Sequence, residues 1–239
     1  MQYSGLISNI QNETDVAFGI LERVTKNLVN ANTPGYKTER SETFDRVMRT
    51  AQRDMEPSKL EVTRSPSDIT LEGKGFFMLQ DEEGHYVFTR NLHLTTDKDR
   101  NLRSDDYLVL PKNQKLPDGI QSFTVSKNGE LLGIDPSTKT KIPLTQLRVV
   151  NFPAAQELDF DGVVYRPTRK AGRMLDVSLG PTEQTQVRQY AQEGSNASIP
   201  FETNKFSQAN LKVNTLSRLL QLLGNSEKQY INTLTQAIG

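Results

Sequence analysis

The chain has no cysteine. Disulfides, thiolate nucleophiles and cysteine-ligated metals are therefore excluded, while the compartment stays open, because exported and cytosolic chains alike can lack cysteine. Net charge is missing too: 29 lysines and arginines face 29 aspartates and glutamates. With no global field to draw it to nucleic acid or an anionic bilayer, the chain is expected to have no nucleic-acid partner and no membrane insertion. No run approaches the ~20 apolar residues of a membrane-spanning helix. The opening stretch MQYSGLISNIQNETD holds neither the basic nor the apolar segment of a cleavable secretion signal. The expectation is a protein that stays in the cytoplasm or leaves by a route that reads no such signal.

Catalytic groups are equally scarce. His85 falls in an expected turn and His93 in an expected strand, without the H-x-x-x-H spacing of a zinc helix. Asp97, Asp99 and Asn101 begin like a calcium loop, but Leu102 stands where the turn requires Gly and Leu108 where a bidentate Glu belongs. The EGKGFF stretch lacks the third glycine and the following helix of a phosphate-binding loop. No serine sits in a G-x-S-x-G elbow. The chain reads as a non-enzyme, with no catalytic residue, cofactor or metal expected.

What the chain does have is periodicity. Ile7, Thr14, Leu21 and Leu28 recur every seven residues, interleaved with Ile10, Ala17, Val24 and Ala31. The C-terminus repeats the pattern with Ala209, Leu216, Leu223, Tyr230 and Ala237 against Phe206, Val213, Leu220, Glu227 and Leu234, where Glu227 and Gly224 weaken it. Both ends thus carry a heptad stripe suited to helix-on-helix packing, and a break is expected near Gly224. Such stripes bury little alone, so self-association through this seam is expected. In the middle the period changes from seven to two. DITLEGKGFFMLQ, YVFTRNLHLTT and YLVLP read as strands of a meander, and Asn128-Gly129 reads as a hairpin turn with positive φ at both positions.

These patterns predict an α+β fold, in which long N- and C-terminal helices form a coiled-coil-like layer beside a central, mostly antiparallel β domain. The expected boundaries are an N-terminal helix over 1–36, a connector over 37–65, the β domain over 66–180, a second connector over 181–204 and a C-terminal helix over 205–239.

The first helix must end at NLVNANTPGYK, because Pro34 disfavours helix before it, Gly35 turns left-handed at little cost, and Asn30 competes for backbone hydrogen bonds. This stretch and the later PSDITLEGKGFF resemble the axial proteins of the bacterial flagellum, the rod and hook family. Asn27, Leu28, Asn30, Thr33, Pro34, Gly35 and Lys37 match its N-terminal signature, with Val29 for the usual Ala and Tyr36 for the usual Phe. Pro66, Asp68, Gly73, Gly75, Phe76 and Phe77 match its β-domain entry, and TRNLHL resembles the segment that follows, with Leu92 where Gly is usual. The closing block is reduced to Ser195, Asn196 and Ala197 before a Leu-rich helix. The short stretch between Phe44 and Pro66 is closer to the proximal-rod type than to the distal-rod type.

The resemblance implies a structural rod subunit of the flagellar basal body, with copies of itself and other rod subunits as partners. It implies passage through the flagellar type III export apparatus, and Phe44 with Met48 resembles that family's export element. The contrasting expectation is a cytoplasmic coiled-coil adaptor whose β domain binds a ligand or peptide.

Overall fold

The computed structural model describes residues 4–40, 43–44, 47–48, 52–109, 115–120 and 122–238. The chain divides into two units, one of residues 1–31, 39–52 and 197–239 and the other of residues 32–38 and 53–196.

The first unit contains the two α-helices, α1 (Ser4–Val29) and α2 (Ile199–Ile238), which pack on each other. Ile10, Thr14, Ala17 and Val24 of α1 are buried, as are Ala209 and Val213 of α2. Glu13 and Lys212 add an ion pair at 2.5 Å. Of the remaining seam positions, Ile7, Leu21, Leu28, Leu216, Leu220 and Leu223 are half-buried and Phe206 is exposed. The side chains of Tyr230 and Leu234 lie outside the described residues. α1 ends as its sequence demands: Asn30 N still reaches back to Lys26 O at 3.1 Å, but Ala31 N tightens to Leu28 O at 3.2 Å. α2 starts earlier than expected, with Pro200 in its first turn, where a missing N–H costs nothing. It runs through Gly224 without the expected break.

The second unit overturns the expected fold class. Among its described residues there is no α-helix, only a short 3-10 turn at Ala155–Glu157. Among the described residues the chain is β-dominated, with a large antiparallel sheet and two α-helices, instead of a fold organised by a coiled-coil-like layer. The physical reason is where the apolar surface goes. A heptad stripe reports that a helix has a sticky face, but the large buried side chains belong chiefly to strands.

The main sheet has eleven strands. Asp68–Glu72 lies between Gln186–Gln189 and Asn91–Thr96, and the order continues through Leu102–Ser104, Tyr107–Leu108, Phe76–Gln80, Tyr86–Thr89, Tyr165–Arg166 and Asp159–Phe160. Val149–Asn151 pairs with both Phe76–Gln80 and Leu175–Asp176. Successive side chains point to opposite faces of a strand. The doublet Phe76-Phe77 therefore serves two cores. Phe77 and Leu79 join Ile69, Leu71, Leu92, Leu94 and Val187 on one side, while Phe76 joins Phe88, Val150, Phe152 and Tyr165 on the other.

The hairpin expected at Asn128-Gly129 is present, joining Ser122–Val125 to Glu130–Ile134, and Lys141–Gln146 completes a three-stranded sheet. Its turn differs from expectation. Only Gly129 has positive φ (84°), and its N–H closes on Ser126 O at 2.9 Å, so a helical-type turn precedes one left-handed glycine. The stretch expected as the second connector holds two strands, Gln186–Gln189 and Ala191–Glu193, the latter paired with Leu60–Val62.

Candidate functional site

The signature residues converge on one buried cluster. Thr33 to Tyr36 make a tight turn, with Tyr36 N donating to Thr33 O at 3.2 Å. Pro34 pre-sets its second position, and Gly35, at φ +74°, takes the left-handed third position of a type II turn. A Cβ on Gly35 would lie 3.2 Å from Arg90 Cβ, a tight approach that adds to the demand its positive φ makes for glycine. The turn delivers Tyr36 and Lys37 into the β body, where both are buried. Tyr36 stacks edge-on to Phe160, which packs on Tyr165, whose hydroxyl donates to Gly35 O at 2.9 Å. Burial pushes the Tyr165 phenol above its ordinary pKa.

Lys37 meets a carboxylate that the sequence did not single out. Its ammonium donates to Glu193 Oε1 at 2.7 Å, to Glu56 O at 2.7 Å and to Ser58 Oγ at 3.1 Å, which uses all three donors. Glu193 Oε2 accepts from Arg90 Nε at 2.5 Å. The rest of the Arg90 fork is spent on backbone: it donates to Gly73 O at 2.7 Å, to Leu71 O at 3.3 Å and to Gly75 O. This explains the two motif glycines. Gly73 has φ +119°, and a Cβ there would fall 2.3 Å from Gln184 O, so only glycine lets the turn present its carbonyl to Arg90.

Two cations thus share one buried anion, and carbonyl dipoles hold the surplus positive charge. Burial pulls the Lys37 ammonium below its ordinary pKa, opposed by the charge and hydrogen bond of Glu193.

Two asparagines hold the chain segments around this cluster. Asn91 reads both backbone groups of Glu193, accepting from its N–H at 2.7 Å and donating to its C=O at 3.0 Å. Asn196 accepts from Thr38 N at 2.7 Å and donates to Asp54 O at 2.8 Å. Gly35 N donates to Glu193 O at 2.7 Å, and Asn196 N to Tyr36 O at 3.2 Å. The segment that follows α1 and the segment that precedes α2 are therefore fastened at one point. In the helical unit, Asn27 repeats the asparagine device, exchanging two 3.0 Å hydrogen bonds with the backbone of Glu39.

The other sequence-predicted residues lie elsewhere. Asn30 caps Lys26 O at 2.9 Å on the exposed end of α1. Asp68 is buried and pairs with His93 at 2.6 Å, while Pro66 O accepts from Gln189. Phe44 and Met48 fall on the paired strands Thr43–Phe44 and Val47–Met48, and Asp45 and Arg46 between them lie outside the described residues.

Sequence reasoning missed Glu193, Arg90, Asn91 and Asn196 as one site. Arg90, Asn91 and Asn196 stood inside recognised motif fragments, whereas Glu193 carried no signal, being one acid in a polar stretch.

The cluster has no chemistry to offer a substrate, because every charged group in it is already bonded. A cleft of about 290 Å³ beside it is lined by Lys74, Glu56, Asn151 and Gln156 among others, and none of the lining residues forms a nucleophile–base pair. Among the described residues, Asp81, Glu83 and His85 bring potential metal-ligating atoms within 4.8 Å of one another. Glu83 and His85 are exposed, and Arg166 stands 3.6 Å from Asp81 as a competing cation.

Comparison with known proteins gives the cluster a context. Residues 70–133, which include Gly73, Gly75, Arg90 and Asn91, match the model of the flagellar hook protein FlgE/F/G D1 domain. The chain is 28% identical over 214 residues to the flagellar basal-body rod protein FlgG of Borreliella burgdorferi, spanning 76% of this chain and 80% of that one. It is 25% identical over 187 residues to the rod protein FlgF of Salmonella typhimurium, and 24% over 187 to FlgF of Escherichia coli. Each of these two alignments spans 71% of this chain and 74% of the relative. FlgF and FlgG proteins match at similar identity, so the similarity does not separate the proximal-rod type from the distal-rod type.

Proposed function

The chain is a relative of the flagellar basal-body rod proteins, and from that premise we propose that it is a structural subunit of the bacterial flagellar rod. It assembles with copies of itself and with other rod subunits, through its terminal helices, into a helical axial shaft. It reaches the periplasm-spanning basal body through the flagellar type III apparatus, with Phe44 and Met48 as part of the export element.

The observation that carries this reading is the Lys37–Glu193–Arg90 cluster. A subunit of a rotating shaft has to pass load between its assembling part and its β body without slack, and two of the chain segments that run between those parts, the one after α1 and the one before α2, meet at this cluster. Both are fastened to the same buried ion pairs, in an interior where electrostatic contacts are strong and rearrangement is costly.

The test is complementation of a deletion strain with Leu21→Asp plus Leu28→Asp, and separately with Leu216→Asp plus Leu220→Asp. Each variant is expected to be exported with a folded β body and to leave no rod in isolated basal bodies. Motile cells with normal rods would overturn the proposal.

A further inference from the structure

Lys37, Arg90 and Glu193 are almost wholly buried and leave one positive charge without a counter-charge. Carbonyl dipoles soften that charge but do not cancel it. The cleft of about 290 Å³ beside the cluster has Lys37 and Arg90 in its own wall. Arg90 carries five N–H groups, and its hydrogen bonds to Glu193, Leu71, Gly73 and Gly75 occupy four, which leaves one N–H of Nη1 over. Gly75, whose carbonyl accepts from that same Nη1, also lines the cleft.

The remaining walls divide into two kinds. Met55, Phe76, Phe152 and Pro153 make an apolar side. Asn151 and Gln156 bring carboxamides that have no hydrogen-bond partner among the described residues. Lys74 stands on the solvent side, 66% exposed, in a loose 3.5 Å pair with Glu56, and the two cancel in charge, so the surplus of one remains. All of these residues belong to the second unit. A concave, partly apolar site in which a few polar groups converge is the form that small-molecule sites take.

We propose that this cleft binds a small monocarboxylate, an N-acylated amino acid with an apolar side chain. Its carboxylate takes the remaining Arg90 N–H and the Lys74 ammonium, displacing Glu56. Its amide pairs with Asn151 and Gln156, each of which offers a donor and an acceptor, and its side chain lies on Phe76 and Phe152. The volume holds roughly ten heavy atoms, at about one per water-sized share of space. A single negative charge cancels the surplus, which a phosphate dianion would overshoot. Binding of this kind goes beyond the rod reading and does not depend on it.

The test is titration of the purified full chain with N-acetyl-L-valine, read by calorimetry and by the side-chain amide signals of Asn151 and Gln156. Saturable binding with a Kd on the order of 1 mM is expected, with those signals moving. The neutral N-acetyl-L-valinamide and inorganic phosphate are each expected to bind about tenfold or more weakly. No saturable binding of the acid, or equal binding of the amide or of phosphate, overturns the proposal.

Two variants give the site a signature that a merely structural role would not produce. Lys74 and Glu56 are 66% and 73% exposed, so neither is needed for the fold. Lys74→Ala is expected to weaken binding of the acid about fivefold or more, whereas Glu56→Gln, which removes the competing carboxylate, is expected to tighten it about twofold or more. Binding unchanged in both variants places the ligand elsewhere and overturns the proposal. Because the assay involves no rod, its failure leaves the rod reading untouched, and a failure of rod assembly leaves the cleft untouched.

Discussion

Lys37 and Glu193 are separated by 156 residues in the chain and by 2.7 Å in the fold, with 1% and 0% of their side chains exposed. The pair joins the segment that leaves α1 to the segment that leads into α2, and Arg90 holds the second carboxylate oxygen. A buried ion pair of this kind says little about net stability, since desolvation opposes attraction, but breaking one partner is costly because it leaves a charge unpaired.

Glu193→Gln keeps the shape and removes the charge. It strands two buried cations, so the β body should lose roughly 3–5 kcal/mol, read as a lower urea midpoint with unchanged slope. Lys37→Met in the same chain should recover part of that loss by removing one stranded cation. A Glu193→Gln protein as stable as the parent would show that the carbonyl dipoles alone suffice.

Gly73 and Gly119 separate two reasons for glycine. Both have positive φ, but a Cβ on Gly73 collides with the backbone of Gln184 and Thr185, whereas one on Gly119 meets open space. Gly119→Ala should cost about 1 kcal/mol, the ordinary charge for left-handed backbone, and Gly73→Ala about 3 kcal/mol or more. Equal thermal shifts in the two variants would remove the close-approach argument and, with it, the account of how Arg90 reaches its carbonyls.

Asp97 supplies a pH dependence with a definite sign. Hydrogen bonds, first from the Asn101 side chain and then from backbone amides and Arg103, hold its pKa at about 2, below its ordinary 3.8. A depressed carboxylate contributes stability that is fully present above the unfolded value and is lost as pH falls through the folded one. Stability measured between pH 5 and pH 2 should therefore decline, and Asp97→Asn should flatten that part of the profile. An unchanged acid limb in Asp97→Asn would assign the decline to other groups.

Local patterns were legible where one residue type decides the outcome. Pro34 and Gly35 ended α1 in a turn, because a fixed φ and a missing Cβ act within four residues. The change from period seven to period two separated the helices from the strands. Asn128-Gly129 announced its hairpin, although the turn needed positive φ only at the glycine. The coiled-coil-like layer was an over-extension: a heptad stripe shows that a helix will pack, without showing how much of the fold that packing organises. In the structure the sheet, with a core on each face, dominates.

Taken alone, the sequence determined the places where the chain must turn, the two helical ends and the β-rich centre, because each follows from short-range sterics or periodicity. The tertiary structure decided that the polar stretch around Glu193 is a strand carrying the partner of Lys37 and Arg90. It also decided that the motif glycines are there so that Gly73 and Gly75 can offer carbonyls to a buried guanidinium. No local signal marks such a partner, because what makes Glu193 distinctive is burial, and burial is a property of the residues that surround it in space.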